Sequence, residues 1–302
     1  MNFRVASEQE RTITYQNNWT EWGGQETVQN HIEKEQKFYS QLSNMDVYIL
    51  VENEKILAQC EIFRLDAWIN DVPVKCAGLA SVFIPEECRG KGYCRKMFEF
   101  IKNELKTKAI DYCVLYSSIG SEIYHSFGWN PERVYSLSFV PKLVETGEET
   151  FIDLKRAFEL FKLYDNSKKS KLAPNELLIL DSAEMIQWNY VRSTHFAGKH
   201  VLSGYEINES NFILWTVKSG NIGTITCIMY SDNSMLKQLI DGASFYFAKI
   251  GCKKLEFWTN EKEIIRALEM LEYKLELSEV CIPAIYAVKP VKWKYVEARC
   301  WV

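Results

Sequence analysis

The first third of the chain shows two different hydrophobic periods. Residues 28–42 carry apolar side chains near helical spacing, which predicts an amphipathic helix. Residues 47–51 and 56–65 are short apolar runs joined by the polar residues ENEK, and 77–84 is a third such run. Short apolar runs bounded by polar turns are typical of strands. The pattern therefore predicts a helix, an antiparallel hairpin and a further strand.

Helices and strands continue to alternate after this third run. Apolar residues recur at helical spacing between 97 and 105, and 112–116 is a compact apolar run typical of a buried strand. A short helix at about 121–127 is expected to end at Gly128, because glycine suits the C-terminus of a helix. Helices interleaved with strands in this order predict an α/β fold class, an α+β arrangement with helices packed on a mixed sheet.

Polar residues with proline and glycine at 141–150 separate two halves of similar length. A chain of 302 residues suits two domains of about 150 residues each, and we predict them over 1–147 and 148–302. The second half repeats the order of the first, with a hairpin (211–217 and 222–229), a helix (235–250), a strand (254–258), a helix (263–271) and a final strand near 280–288. We therefore predict tandem domains of one architecture.

Composition and charge narrow the classes of partner. Hydrophobic residues make up 47% of the chain and charged residues 25%, which is typical of a globular protein. The net charge of −4 provides no overall positive field, so neither nucleic acid nor a membrane is expected as a partner. An anionic ligand would have to be bound by a local cluster.

The cysteines argue against metal and redox sites. Nine cysteines lie between Cys60 and Cys300 without a Cys-x-x-Cys pair, so we expect no metal. Free cysteines that pack as small apolar side chains are typical of a reducing compartment. The N-terminus also lacks the apolar segment of a secretory signal. The expected location is the cytoplasm, and the oligomeric state is left open.

The segment CRGKGYCRKM, residues 88–97, places Gly90 and Gly92 among basic side chains between a predicted strand and a predicted helix. A glycine-rich turn that opens a helix presents several backbone N–H groups to one anion, and the helix dipole adds positive potential. The motif alone leaves a phosphate site and a basic surface turn equally open. It is neither a Walker A loop nor a dinucleotide fingerprint, since GxxxxGK[ST] and GxGxxG are absent. The corresponding segment YSDNSM, residues 230–235, has no glycine and no basic residue, so only the first half predicts such a site.

Two segments together resemble a known family. Residues 89–94 read Arg-x-x-Gly-x-Cys directly after a strand, and 117–129 read SSIGSEIYHSFGW. Both resemble the GNAT-type N-acetyltransferases, whose acyl-CoA diphosphate loop follows Gln/Arg-x-x-Gly-x-Gly/Ala. Cys94 departs from that pattern and slightly narrows the space for a diphosphate. The resemblance covers about 45–140 and implies a catalytic N-terminal GNAT domain that uses acetyl-CoA as co-substrate, followed by a degenerate GNAT-like domain.

Shorter pieces resemble the fungal lysine N6-acetyltransferase-like family. They are WGG (22–24), CEIFR (60–64), CVLYSSIG (113–120) and the terminal WKYVEARCWV. Ser118 stands where that family is expected to have an acidic residue. This finer resemblance implies a small-molecule amine or a lysine side chain as acceptor, with free lysine first.

The resemblance to the GNAT family also implies which residues hold acetyl-CoA. They are the end of the strand before the loop, the loop itself, the start of the helix after it and one residue near the second signature: Val82, Phe83, Ile84, Arg89, Gly90, Lys91, Gly92, Tyr93, Cys94, Arg95 and Ser118.

Amine acetylation needs a proton acceptor and a proton donor. A lysine ε-amine has an ordinary pKa of about 10.4, so a base or a desolvating pocket must remove its proton near neutral pH. Glu61 is the leading base because Cys60 and Ile62 point to one side of the predicted strand and Glu61 to the other, into a cleft or into solvent. Tyr124 matches the tyrosine that protonates the leaving thiolate in the family, and its alternative is a core tyrosine.

The aromatic C-terminal tail offers a second base. In the Eis-like relatives a chain-terminal carboxylate reaches the active site, which implies the same role for Val302. We assign Glu297 of this tail to the substrate side. Trp22 either lines the substrate channel or packs in the core.

Three functions remain open from the sequence. The first is an acetyl-CoA-dependent N-acetyltransferase acting on a lysine side chain or free lysine by direct attack on the thioester. The second is a non-catalytic protein that binds acyl-CoA or a protein partner, for which neither Glu61 nor Tyr124 is needed. The third is an acetyltransferase for another small amine.

Overall fold

The computed structural model describes residues 1–40, 42–120, 122–143, 151–180, 185, 202–218, 222–277 and 282–296. Backbone contacts divide the chain into two compact units. Unit 1 comprises 1–67, 73–131 and 283–290, and unit 2 comprises 68–72, 132–282 and 291–302.

Helices and strands alternate along most of the described chain. The helices are α1 (Glu8–Trp22), α2 (Val28–Tyr39), α3 (Tyr93–Thr107), α4 (Glu122–His125, one turn), α5 (Leu154–Lys169), α6 (Asn233–Lys249) and α7 (Lys262–Met270). The strands are β1 (Asn2–Val5), β2 (Met45–Glu52), β3 (Lys55–Ile69), β4 (Val72–Phe83), β5 (Tyr112–Ser117), β6 (Asn130–Pro131), β7 (Tyr135–Phe139), β8 (Phe151–Ile152), β9 (Glu176–Leu180), β10 (Leu202–Asn208), β11 (Asn211–Lys218), β12 (Ile222–Met229), β13 (Lys254–Thr259), β14 (Leu275–Leu277), β15 (Ile282–Ala287) and β16 (Lys292–Trp293).

Unit 1 is a mixed sheet covered by helices. Its strands follow the order β1-β2-β3-β4-β5-β15-β6. The predicted β2–β3 hairpin is present, and Asn53 and Glu54 make its turn with φ of 50° and 65°. The apolar face of α3 is buried as the sequence predicts, through Met97, Phe98, Ile101 and Leu105. The prediction of an α/β fold with a mixed sheet is confirmed.

Helix α1 is absent from the sequence prediction. Its three buried side chains are Thr14, Tyr15 and Asn18, so it has little apolar periodicity. A capping box defines its start instead, because the Ser7 side chain accepts a hydrogen bond from the N–H of Glu10, whose side chain accepts one from the N–H of Ser7. Local capping therefore marks a helix that hydrophobic periodicity does not.

Strands β4 and β5 share only part of their length. Their parallel register covers Cys76–Gly78 and Tyr112–Val114, and both strands then continue, to Phe83 and Ser117. Ser81, in the part of β4 beyond this register, has φ of 48°, a left-handed conformation that is uncommon for a residue with a side chain. The end of β4 thus departs from regular strand geometry where the glycine loop follows.

The final strand is placed differently from the prediction. We expected a strand near 280–288 to complete the second half, but β15 lies in the sheet of unit 1, where Ala284 pairs with Pro131 and Ile285 with Asn130. Ala284 is fully buried in the unit 1 core, and the Tyr286 ring lies 4.9 Å from that of Trp129. Burial of these side chains accounts for the placement.

Unit 2 contains a second sheet, with the order β14-β7-β13-β12-β11-β10-β8. The predicted β11–β12 hairpin is present, and β12 pairs in parallel with β13 after the helix α6. This hairpin, helix and parallel strand repeat the β3–β4–α3–β5 order of unit 1. A second sheet-rich region is therefore consistent with tandem domains.

The contact-based units change between Pro131 and Glu132, earlier than the predicted domain boundary. The predicted boundary between 147 and 148 lies within 144–150, outside the described residues, and so it stays a prediction. Within the described ranges, every helix is too short or too polar to cross a bilayer.

The position of β15 can be tested with a core truncation. Ile285 is 4% exposed, so Ile285→Ala should destabilise unit 1 by about 2 kcal/mol or more. Hydrogen–deuterium exchange should accelerate by at least about tenfold in β5 and β6 and stay unchanged in β11 and β12. Val288→Ala, at a position 58% exposed, is the control and should change neither region. Equal acceleration in both sheets would contradict the assignment.

Candidate functional site

The glycine loop connects the end of β4 to the start of α3. It contains a single 3-10 turn at Glu86–Cys88, followed by Gly90 and Gly92 with φ of 74° and 78°. Both values lie in the left-handed region that glycine adopts without strain. A Cβ atom on either glycine would meet nothing within 4 Å, so the loop surface is open at both positions.

Helix α3 begins at Gly92 without a side-chain cap. The N–H of Lys96 donates the first helical hydrogen bond to the Gly92 carbonyl, at 3.2 Å. The N–H groups of Tyr93, Cys94 and Arg95 therefore have no acceptor within the helix. Such a helix start concentrates donors and positive potential and suits an anion such as a diphosphate.

The corresponding helix of unit 2, α6, has a side-chain cap at its start. Asp232 caps α6, and its Oδ1 accepts hydrogen bonds from the N–H groups of Ser234 at 2.9 Å and Met235 at 3.0 Å. These backbone bonds lower the pKa of the Asp232 carboxyl, which is therefore anionic at neutral pH. A carboxylate of the chain itself thus occupies the position where unit 1 leaves N–H groups open. The prediction of one anion site in the first half stays a prediction.

The basic side chains of the loop mostly hold the loop itself. Arg89 donates from Nε to the Ile84 carbonyl at 3.1 Å and from Nη2 to Glu21 Oε1 at 2.8 Å. Lys91 Nζ donates to the Glu87 carbonyl at 2.7 Å. Backbone N–H groups, rather than these cations, are consequently the most direct anion donors in the loop.

Aromatic rings lie on both sides of the loop. The guanidinium carbon of Arg89 lies 5.7 Å from the centre of the Phe83 ring. The centre of the Trp22 ring lies 6.0 Å from the centre of the same Phe83 ring. Arg95 lies 5.3 Å from the ring centre of Phe127. Trp22 is 47% exposed, so the alternative of a core tryptophan is wrong. Trp22 is thus available on the surface beside the end of β4, and its predicted role in binding substrate stays a prediction.

Tyr124 is half-buried beside the start of α3. Its ring packs edge-on to Phe98 with 5.7 Å between ring centres. Burial raises the pKa of Tyr124 to about 12, and the nearby Cys94 adds to the effect. Its phenol is therefore protonated at neutral pH, as a proton donor must be.

The remaining residues predicted to hold acetyl-CoA differ in their burial. Val82, Ile84, Tyr93 and Cys94 are half-buried and pack against the core of unit 1. Burial raises the pKa of the Cys94 thiol, so this cysteine is not activated. Ser118 is exposed in the turn after β5.

Glu61 is buried rather than directed to solvent. It is 3% exposed, on the face of β3 opposite to Cys60, so the alternative of a solvent-facing strand glutamate is wrong. Its Oε2 accepts hydrogen bonds from the hydroxyl of Tyr39 at 3.0 Å and from the hydroxyl of Ser81 at 2.8 Å. Burial of a carboxylate costs free energy, which hydrogen bonds from two hydroxyl groups offset, and buried ionisable groups cluster at functional sites.

Tyr39 and Ser81 are not among the candidate site residues that the sequence predicts. They lie 22 and 20 residues from Glu61 along the chain, on α2 and β4. Local spacing contains no signal for such contacts. The alternation in β3 does indicate that Glu61 and Gln59 share a face, and both are buried.

The two predicted residues of the C-terminal tail, Val302 and Glu297, lie outside the described residues. The tail is described as far as Val296 and is anchored within unit 2. Asn260 donates to the Trp293 carbonyl at 3.0 Å and accepts from the N–H of Val296 at 2.8 Å. The described part of the tail is thus held by defined hydrogen bonds.

Comparison with known proteins identifies the first unit. Residues 2–131 match the family model of the acetyltransferase (GNAT) domain. They form a GNAT domain. The glycine loop, β4, α3 and Glu61 all lie within this GNAT domain, and the prediction of an acetyltransferase is confirmed at the level of the domain.

Solved structures share the fold over nearly the whole chain. A conserved protein from Enterococcus faecalis, named "Probable N-Acyltransferase", has a TM-score of 0.66 at 12% identity, covering 95% of this chain and 72% of that one. A GCN5-related N-acetyltransferase from Anabaena variabilis has a TM-score of 0.65 at 14% identity, covering 95% and 73%. Eis1 from Mycobacterium abscessus has a TM-score of 0.56 at 9% identity, covering 95% and 73%. At these identities the likeness shows a shared fold.

No curated protein sequence matches the chain significantly. The finer resemblance to the fungal lysine N6-acetyltransferase-like family stays a prediction. Among the described residues, histidine, cysteine, aspartate and glutamate side chains form no group of three or more that could hold a metal ion.

The role of the α3 start in CoA binding can be tested by introducing a methyl group at Gly92. Gly92→Ala places an L-residue at φ of 78°, which costs roughly 1–2 kcal/mol and should displace the loop. Calorimetry should show CoA binding weakened about tenfold or more. Gly251→Ala is a matched control, since Gly251 has φ of 74° and equally open surroundings, in unit 2. Equal losses in both variants would contradict a site at Gly92.

Proposed function

We propose that this chain is an acetyl-CoA-dependent N-acetyltransferase that acetylates a primary amine, with a lysine side chain or free lysine as acceptor. The observation that carries the proposal is the uncapped start of α3 at Gly92, within a GNAT domain. The described cysteines are all free thiols, which supports the cytoplasm as location.

Acetyl-CoA would be held mainly by backbone groups. The diphosphate would accept hydrogen bonds from the N–H groups of Tyr93, Cys94 and Arg95 and from the glycine loop. The strands β4 and β5 continue beyond their shared register, which supports a role for the backbone donors and acceptors of 82–84 in binding the pantetheine arm. A backbone N–H of the same segment would polarise the thioester carbonyl.

The reaction requires two proton transfers. The neutral amine nitrogen attacks the thioester carbonyl carbon, a C–N bond forms and the C–S bond breaks. Glu61, as carboxylate, would accept the proton that the amine loses. Tyr124, protonated because of its raised pKa, would donate a proton to the departing CoA thiolate. The products are the amide and CoA thiol.

Other parts of the chain would select the acceptor. The exposed Trp22 would contact the acceptor beside the end of β4. Glu297 and the carboxylate of Val302 stay proposed for the substrate side and as a competing base. The resemblance to the fungal lysine N6-acetyltransferase-like family supports lysine as the first amine to test.

The direct test measures CoA thiol release from acetyl-CoA across a panel of amines: free lysine, a lysine-containing peptide, polyamines and aminoglycosides. Acceptor-dependent release, fastest with lysine compounds, is expected. Tight CoA binding without acceptor-dependent release from any amine would instead support a non-catalytic acyl-CoA-binding protein.

The proposed roles of Tyr124 and Glu61 lead to a kinetic prediction. Tyr124→Phe and Glu61→Gln should each lower kcat about 10²- to 10⁴-fold, with the KM for acetyl-CoA changed little. Tyr273→Phe is the control, because burial also raises the pKa of Tyr273 to about 12 but this residue lies in unit 2. Activity unchanged in both site variants would eliminate these roles.

The raised pKa of Tyr124 also sets the pH dependence. The active form of a proton donor is the protonated one, and a group with a pKa of about 12 is about one-tenth ionised at pH 11. Activity measured with a lysine acceptor should therefore rise from pH 6 to pH 10 without a decline from Tyr124 ionisation. A loss of activity near pH 9 that disappears in Tyr124→Phe would contradict the raised pKa of Tyr124.

A further inference from the structure

Glu61 is held by hydroxyl groups from two separate elements. Tyr39 on α2 and Ser81 on β4 both donate to the same carboxylate oxygen, Oε2, at 3.0 and 2.8 Å. We call these three side chains the hydroxyl clamp. Each hydroxyl has one proton, and both protons are directed to one oxygen atom.

The two hydrogen bonds of the clamp act on a buried carboxyl. Burial of a carboxyl favours its neutral form, whereas hydrogen bonds donated to the carboxylate favour the charged form. Hydrogen bonds to an ionised acceptor are about twice as strong as those between neutral groups. Two such bonds therefore counteract the burial of Glu61.

The backbone at Ser81 supports a specific role. Its φ of 48° lies in the left-handed region, inside a strand that is otherwise extended. This conformation is strained for a residue with a side chain and persists only where the surroundings maintain it. The strained residue is also the one whose hydroxyl donates to Glu61.

We propose that Tyr39 and Ser81 are positioning residues that keep Glu61 ionised and fix its orientation, so that Glu61 accepts the proton of the amine. The inference rests on the proposed function. Neither hydroxyl needs to contact the substrate, because both act through Oε2 of Glu61.

The neighbouring titratable groups are neutral near pH 7. Tyr15 on α1 stacks on Tyr39 with 5.9 Å between ring centres, and burial, followed by Glu61, raises the pKa of Tyr15. Burial raises the pKa of Cys60 on β3, and Glu61 adds to the effect. Between about pH 5 and 8 Tyr15 and Cys60 therefore stay neutral.

Further groups act on these neighbours. The charges of Arg11 on α1 and Glu35 on α2 shift the pKa of Tyr15. Cys94 of α3 and Cys113 of β5 contribute to the raised pKa of Cys60. Burial raises the pKa of both Cys94 and Cys113, so these thiols are also neutral near pH 7. Arg11 and Glu35 carry opposite charges whose effects on Tyr15 oppose each other.

The clamp can be tested with two variants that preserve the fold. Tyr39→Phe retains the ring that stacks on Tyr15, and Ser81→Gly removes the hydroxyl where glycine adopts the positive φ without strain. Loss of a donor favours the neutral acid, so the acidic limb of the pH–kcat profile should move up by about one pH unit in each variant. The KM for acetyl-CoA should not change.

Tyr48→Phe is the matched control. The Tyr48 hydroxyl donates to Glu104 Oε1 at 3.0 Å, the same distance as from Tyr39 to Glu61, elsewhere in unit 1. Removing this bond should leave the acidic limb of the profile where it is in the unchanged protein.

A second measurement needs no activity. Carbon-13 NMR of protein labelled at glutamate carboxyl carbons follows the Glu61 titration directly, with Glu61→Gln identifying its resonance. Its midpoint should rise by about one pH unit in Tyr39→Phe and in Ser81→Gly.

The two measurements separate the two hypotheses. A midpoint that is unchanged in both variants, whatever happens to kcat, would overturn the clamp. If the unchanged protein acetylates no amine, the proposed function fails, and the NMR midpoint still decides whether Tyr39 and Ser81 hold Glu61 as a carboxylate.

Discussion

Backbone N–H groups at the start of α3 need an acceptor, and the residue at the capping position is a glycine. In unit 2 the same position is filled by Asp232, whose carboxylate accepts two of the equivalent hydrogen bonds. The two halves therefore repeat a hairpin, a helix and a parallel strand but differ in the charge at one helix start. Because of this difference, the start of α3 can bind an external anion, whereas the start of α6 already binds the Asp232 carboxylate.

The buried side chain of Glu61 is hydrogen-bonded to an irregular residue of the neighbouring strand. Strand β4 departs from extended geometry at Ser81, and this turn of the backbone brings a hydroxyl to Glu61. Tyr39 brings the second hydroxyl from α2. One polar group thus connects a helix and two strands inside unit 1, in a region where apolar packing alone would not specify the geometry.

Much of the fold can be predicted from local patterns. The face of α3 and the β2–β3 hairpin follow directly from apolar spacing and the ENEK turn. Helix α1 escapes such a reading, because two of its three buried side chains, Thr14 and Asn18, are polar. Hydrophobic periodicity has no means of recognising a helix whose buried face is polar.

The candidate site likewise combines residues that local sequence predicts with residues that only the fold brings together. The glycine loop and the placement of Glu61 on the face of β3 opposite to Cys60 follow from residues that are close in sequence, whereas the burial of Glu61 is known only from the structure. Tyr39 and Ser81 reach Glu61 from about 20 residues away on either side, so only the folded chain brings them together. The sheet to which β15 belongs is likewise set by the packing of Ala284 and Tyr286 and not by its own sequence period.

The position of β15 has a consequence for how the protein is made. The GNAT match ends at residue 131, yet the sheet of unit 1 includes a strand at 282–287. A ribosome adding about 5–20 residues per second needs roughly 10–30 s to travel from one to the other. During that interval the first unit is present on the nascent chain without one of its inner strands. The acetyltransferase domain is therefore completed only after residue 287 has been translated.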